Sequence, residues 1–417
     1  MTASRFSWRL LRAPLALATA IIGLAAPVMA MPASPPLARP SGALTLDRVV
    51  MLMRHGVRAP LDGEVPHGTR TARAWPHWST PESELTPRGA DALMAEARAD
   101  RADWAAQGLL PATGCPATGT IRIWSNSSSR TIASGQAYAK GLAPDCAIPV
   151  GHRPDDQADP LFEPLRARAT RFDADAAVAD INRFTGGMDA LVARHRDALH
   201  LLDTVLGCGD PKGCDPAGAP RLTPSADGHG IDLSGPIRTA SGTAQVLLLQ
   251  YAEGLAPSVG GAPVDGAMLA RLGVLHAALF DVYSRSPYMA AHQSAAFGRH
   301  MIDALAAANG PKVDLLVGHD TNVTALAAAL GFDLIAPGYA ANDAAPGGAV
   351  LIQRWHDARG RAFVTMTYRT QSPDRIRDGA AAVNVSPVHA RGCPADAPCP
   401  LDRFIALFGQ RLAPLAR

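Results

Sequence analysis

Residues 47–53, DRVVMLM, end in an apolar stretch with no polar face, which stops abruptly at Arg54-His55-Gly56, with Arg58 two residues later. A strand without a polar face has to be covered on both sides, the condition of a central parallel strand in an α/β sheet. The cations at its end are the second constraint. Two guanidiniums beside an imidazole disfavour the imidazolium, so whatever gathers them there must repay that repulsion.

The strand-to-helix pattern recurs. LTPRGADALMAEARADRADWAAQG has Thr86 as N-cap and Pro87 at the first helical position, with Ala90, Leu93, Met94 and Ala97 along one face. TIRIWSN (120–126) reads as a second short strand, followed by a helix from Thr131 to Lys140 that Gly141 is expected to close. VDLLVGHD (313–320) is a strand with a polar end, TNVTALAAALG the helix after it, and GAVLIQRW and AFVTMTYRT a pair of strands. The expected fold is therefore α/β, a mostly parallel central sheet flanked by helices, built from residues 44–170 and 276–417. Residues 171–275 hold little β-branched run and much helical period, as in DALVARHRDALHLLDTVLG, and are expected to form a smaller inserted helical cap domain. CGDPKGCDPAGAPRLTPSADG (208–228) reads as a loop by composition.

Arg5, Arg9 and Arg12 precede a short, Pro-punctuated apolar segment, and Val28-Met29-Ala30 ends it in small residues. Residues 1–30 thus read as a signal peptide cleaved near Ala30, which predicts a periplasmic or secreted protein. No later stretch reads as long and apolar enough to span a bilayer. Six cysteines suit an oxidising compartment. Fifteen connectivities are open to six cysteines. Each neighbouring pair closes a loop rich in Pro, Gly or Asp, so Cys115–Cys146, Cys208–Cys214 and Cys393–Cys399 are expected. A metal cluster is the weaker reading, because no histidine flanks Cys208 and Cys214 at zinc spacing. The formal net charge of +2 offers nucleic acid or a membrane surface no electrostatic partner.

Two polar clusters fall at strand C-termini, where ligands bind in open α/β sheets. They are Arg54, His55 and Arg58 after the first strand, and His319 and Asp320 after DLLVG; Arg130 follows the strand TIRIWSN. Three planar, permanently charged guanidiniums suit bidentate hold of a phosphate or carboxylate, and without an anion they repel one another. Their field keeps a lone pair free on His55, and a neutral imidazole beside a clamped phosphoryl group is a nucleophile. The leaving alkoxide needs a proton, and Asp320 is the nearest carboxyl candidate; an Asp that must be protonated predicts an acid pH optimum. RHG or HD alone recurs by chance. RHGVRAP ending an apolar run, together with GHDTN at a second strand-to-helix turn, does not.

RHGVRAP (54–60) and GHDTN (318–322) resemble the paired signatures of the histidine acid phosphatases, the cap-bearing branch of the histidine phosphatase superfamily. LTPRG, GLAPDC, DPLFEPL, PGG and QRW resemble, in the same order, its bacterial periplasmic phytases and glucose-1-phosphatases. The resemblance implies His55 as the nucleophile that forms a phosphohistidine, and Arg54, Arg58, Arg130 and His319 as ligands of the phosphoryl group. It implies Asp320 as proton donor, no metal or organic cofactor, small-molecule phosphate esters as partners, and the same three disulfides. A monomer is expected. A further disulfide of the phytase branch, between the helical domain and the C-terminus, has no cysteines here.

On substrate the resemblance divides. Leu61 and Asn126 are similar to the glucose-1-phosphatase branch, where phytases carry threonine and aspartate. Arg285 matches a phytase arginine that contacts an outlying phosphate. The expected activity is a broad phosphomonoesterase acting on phytate, on sugar phosphates such as glucose 1-phosphate, or on both. The alternatives are a phosphotransferase or mutase using the same histidine and a non-catalytic phosphate-ester binding protein, which would need neither His55 nor Asp320. Trp75 and Trp78 either wall the pocket or pack the core.

Overall fold

The computed structural model describes residues 44–416 apart from 156, 211 and 257; the expected signal segment lies outside the described residues. The first third runs β1 (Thr45–Arg54), α1 (Pro87–Ala106), β2 (Ile121–Ser125), α2 (Ser129–Leu142) and β3 (Val150–Gly151). Next come α3 (Ala174–Thr185), α4 (Met188–Arg194), α5 (Arg196–Leu206), β4 (Arg221–Pro224), β5 (Ile231–Ser234), α6 (Pro236–Ala252) and α7 (Gly266–Phe280). A π turn (Asp281–Arg285) leads to α8 (Pro287–Gln293), α9 (Ala295–Ala306), β6 (Val313–Gly318) and α10 (Asp320–Leu330). The chain then makes β7 (Ala349–His356), β8 (Ala362–Thr370), α11 (Pro373–Arg377), β9 (Asn384–Val388), β10 (Cys399–Pro400) and α12 (Leu401–Gly409).

The main sheet is mixed, in the order β10-β8-β7-β1-β6-β2-β3, with β9 on β8. Its core strands β1, β6, β2 and β3 are parallel, and β7 to β10 add antiparallel strands beside β1. As a strand without a polar face requires, β1 is buried on both sides. Val50 and Leu52 join a cluster with Leu202, Leu247 and Leu272 from the helical segment. Val49, Met51 and Met53 join a second cluster with Leu93, Trp104 and Tyr138 from α1 and α2. The period of two thus splits one strand between two cores.

Thr86 caps α1 by accepting from Gly89 N–H, and Pro87 opens the helix. Gly141 does not close α2; it lies inside the helix, where a Cβ would come within 2.5 Å of the Met94 backbone. That glycine is a packing contact with α1, so helix-end chemistry was the wrong reading of it. The helix expected over 189–206 breaks at His195 into α4 and α5, and Gly207 ends α5 in the left-handed conformation. The 208–228 loop contains β4, which pairs with β5 as a hairpin. The expected boundary at 275–276 cuts through α7, so no break in the chain path exists there. α7 and the π turn together (Gly266–Arg285) reach 20 residues at a hydropathy of 1.2, enough by length and composition to cross a membrane. This corrects the sequence reading, although Leu269, Leu272, Leu275 and Ala278 here face the protein core. All three expected disulfides, Cys115–Cys146, Cys208–Cys214 and Cys393–Cys399, are formed.

Candidate active site

Three parallel strands end side by side. Arg54 pairs in register with Gly318, and Ser125 with Val317. The residues just beyond tie the ends together: His55 N–H donates to Gly318 O, and Asn126 N–H to Val317 O, each at 3.0 Å. Leu85 and Leu93 pack directly on Gly56, where a Cβ would lie 2.9 Å from a methyl carbon of each.

His55 is buried, and its Nδ1–H donates to Gly56 O at 2.9 Å. The carbonyl can only accept, so Nδ1 carries the proton and the lone pair is on Nε2. Burial, then Arg54, Arg130, Arg58 and His319, hold its pKa well below the usual histidine range.

The three arginines converge with different partners. Arg54 donates through Nη1 to Ala344 O and pairs through Nη2 with Asp320 Oδ2 at 2.9 Å. Arg58 makes a bidentate pair with Glu64, 2.7 Å on each arm. Arg130 reaches Ser83 Oγ at 3.2 Å and His319 Nδ1 at 3.4 Å. Burial and then Arg58 push Arg130 down to about 10, a measure of their mutual repulsion. The Nε–H of all three is buried without a protein hydrogen-bond partner. Each such group costs about 1–3 kcal/mol, and three among clustered cations fit an anion with several acceptor oxygens.

His319 is the N-cap of α10. Arg130 can only donate, so His319 Nδ1 accepts, and Nε2–H donates to Asn126 Oδ1 at 3.0 Å. Asn126 in turn donates to Glu163 Oε2 at 3.0 Å. Burial and then Arg130 push His319 down to about 3, so it too is neutral. Asp320 opens α10 and accepts from Thr321 N–H at 2.8 Å, at the positive end of the helix. Burial alone would raise its pKa; Arg54 and then His276 outweigh burial and hold it well below the carboxylate range.

The structure thus brings together Arg54, His55, Arg58, Arg130, His319, Asp320 and Asn126. It does not bring in Arg285. That guanidinium pairs with Asp281 at 2.6 Å and Asp333 at 2.8 Å. Its chain neighbour Ser284 bonds Thr324 in the first turns of α10 at 2.6 Å, while the guanidinium itself is taken up by the two aspartates. Leu61 is half-buried, and its backbone N–H donates to Glu64 Oε2 at 2.9 Å, which fixes Glu64 against Arg58. Trp75 and Trp78 pack against the larger core cluster. Sequence reasoning missed Glu64, Ser83, Glu163, His276 and Asp343. Only His276, a lone imidazole in an apolar helix, and Glu163, inside DPLFEPL, carried a visible signal.

A second charge network lies behind the site. Arg369 pairs with Asp100 and Glu96 and donates to Gly347 O at 3.3 Å; Gly347 N–H donates to His55 O at 3.0 Å. Burial outweighs Arg369 and raises Glu96 from 4.5 to about 8. The folded state therefore holds a proton that the unfolded chain loses. The associated stability is complete below about pH 4.5 and is lost as pH rises to about 8, at up to ~1.4 kcal/mol per pH unit. Glu96→Gln is expected to flatten the fall of melting temperature across that window, as thermal melts in a pH series would record. An unchanged slope would assign the effect to another group.

Comparisons with known proteins match this geometry to a family. Residues 45–187 match the model of the histidine phosphatase superfamily (branch 2). The chain is 30% identical over 382 residues to the glucose-1-phosphatase of Salmonella typhimurium, covering 86% of this chain and 91% of that one. It is 29% identical to the Escherichia coli phytase over 80% of this chain and 83% of that one. The structure of Hafnia alvei phytase in complex with tartrate superposes with a TM-score of 0.82 at 29% identity, covering 90% of this chain and 99% of that chain. With so much of both chains related, and with an arginine-clamped histidine where two parallel strands end, this chain belongs to the histidine phosphatase superfamily (branch 2), among the histidine acid phosphatases.

Proposed function

We propose that this phosphomonoesterase works through a phosphohistidine on His55, with Asp320 serving the leaving group. The observation that carries the reading is the set of three unpartnered, buried Nε–H groups on Arg54, Arg58 and Arg130 around a neutral imidazole. The guanidiniums hold the phosphoryl oxygens and stabilise the charge that builds on them, with His319 accepting from Arg130 and so orienting it toward them. His55 Nε2 attacks phosphorus, the Nε2–P bond forms, and the bond to the leaving oxygen breaks as Asp320 protonates that oxygen. Gly56 O keeps Nδ1–H in place and stabilises the cationic ring. Water then attacks the phosphohistidine, giving its proton to Asp320.

Export is part of the proposal, with cleavage near Ala30; three closed disulfides suit an oxidising compartment. We read residues 171–275 as the cap over the crevice, with its last helix continuing into the core piece.

Both relatives' substrates are candidates. Two observations favour a single phosphate on a hydroxyl-rich leaving group over a polyphosphate. Glu64 already neutralises Arg58, and Arg285 is already held by two aspartates, Asp281 and Asp333. Glucose 1-phosphate is therefore expected to exceed phytate in kcat/KM. Glu64→Gln should raise kcat/KM for phytate about fivefold, for ~1 kcal/mol of repulsion removed, with glucose 1-phosphate held within about twofold. Equal changes on both would place Glu64 outside substrate selection.

The direct test is phosphate release at about pH 5 from glucose 1-phosphate, phytate and p-nitrophenyl phosphate, with and without EDTA. Equal rates in EDTA are expected. Loss of activity in EDTA would move the reaction to a metal.

A further inference from the structure

His276 lies on α7, remote in sequence from both strand-end signatures, and is 5% exposed. Its Nδ1 is 2.8 Å from Asp343 Oδ1, and its Nε2 is 3.9 Å from Asp320 Oδ2. Asp343, in the turn before β7, is 2% exposed. Gly273, one turn earlier on the same face of α7, makes their contact possible, because a Cβ there would lie 2.5 Å from Asp343 Oδ2. Phe280, one turn later, meets the imidazole edge-on with ring centroids 4.6 Å apart.

These contacts fix where protons can reside. With Asp343 ionised, its oxygens only accept, so Nδ1 keeps its proton and a second one can only occupy Nε2, which faces Asp320. Tyr339 and Tyr368, the other titratable groups near Asp343, are both raised by burial first and stay neutral. Asp320 is faced from the other side by Arg54, His55 and His319.

Resting on the reading of Asp320 as the acid, we propose that His276 is a positioning residue that stores the proton Asp320 delivers. Without substrate, Asp320 is an anion paired with Arg54 and the spare proton is on His276 Nε2. A bound phosphate ester takes up Arg54. The Nε2–H bond then breaks, Asp320 Oδ2–H forms, and His276 is left neutral with Nδ1–H still donated to Asp343. Asp320 gives its proton to the leaving oxygen and regains one from the attacking water. When phosphate leaves and Arg54 pairs again, that proton returns to Nε2. The cycle balances without further exchange with solvent.

The test uses the full mature enzyme and two esters. His276→Gln is expected to lower kcat on glucose 1-phosphate at least tenfold and to move its alkaline limb down by about one pH unit, because Asp320 must then be recharged from solvent. p-Nitrophenyl phosphate, whose leaving group needs no proton, should stay within about threefold. Gly273→Ala, which alters no titratable group, should displace Asp343 and shift the limb in the same direction by less. An unshifted limb in both variants would overturn the proposal, as would an equal loss on both esters in His276→Gln, which marks a packing role. A His55→Ala enzyme still active on p-nitrophenyl phosphate would instead bring down the underlying reading; with that variant silent, an unshifted limb sinks this proposal alone.

Discussion

His55→Ala is expected to lower kcat on every ester by about 10⁴-fold or more, while inorganic phosphate still binds within about threefold of the wild-type affinity. The two halves of the result come from different atoms. The bond to phosphorus is made by Nε2 of a buried imidazole, whose lone pair, unlike that of His319, is not taken by an arginine. Binding comes from the guanidiniums, whose contacts to Ala344, Glu64 and Ser83 do not involve the imidazole. Removing the ring also removes a group that the arginines already keep uncharged, so the clamp loses no counter-charge. Steady-state assays with calorimetric phosphate titration would check both halves. Rapid quenching into base, where phosphohistidine is stable, should trap labelled phosphoenzyme only in the wild type, and acid should release the label. Retained turnover in the variant would end the phosphohistidine mechanism. Lost phosphate binding with lost turnover would indicate that His55 holds the site open, and the variant would then report on structure.

The parts of this site that sequence revealed are those carried by local order. A buried strand delivers its next residues to the sheet edge, so RHGVRAP and GHDTN announced their own positions, and register between β1 and β6 did the rest. Arg130 followed by the same logic from β2, whereas Asn126 was named only by the family resemblance. What local order cannot show is which partners tertiary packing brings in. His276 and Asp343 are 67 residues apart and meet because α7 lies against the turn before β7. The partners of Arg285 were hidden in the same way, since Asp333, 48 residues further on, takes up its guanidinium together with Asp281. Gly141 was read as a helix stop because composition cannot distinguish a glycine that ends a helix from one that admits another.

Asp320→Asn should divide substrates by leaving group. With glucose 1-phosphate, kcat is expected to fall about 10²–10³-fold, the usual yield of a general acid; with p-nitrophenyl phosphate the loss should stay within about tenfold. The free enzyme alone would not suggest this role, since Arg54 at 2.9 Å holds Asp320 ionised. Substrate reverses the balance. A phosphate dianion shares Arg54 and adds like charge beside the carboxylate. One such charge at about 4 Å is worth ~4 kcal/mol in a partly screened site, or ~3 pK units upward, which works with the loss of Arg54 to favour the protonated carboxyl. Substrate binding and protonation of Asp320 thus favour each other, and the alkaline limb of activity marks where Asp320 can no longer be charged. The variant should therefore also bind inorganic phosphate more tightly above about pH 5, where the wild-type carboxylate competes for Arg54 and asparagine does not. Competitive inhibition by phosphate across pH measures that second effect independently of chemistry. Equal losses on both esters, with phosphate binding unchanged, would remove Asp320 from the acid role and leave its ion pair with Arg54 as support for the clamp.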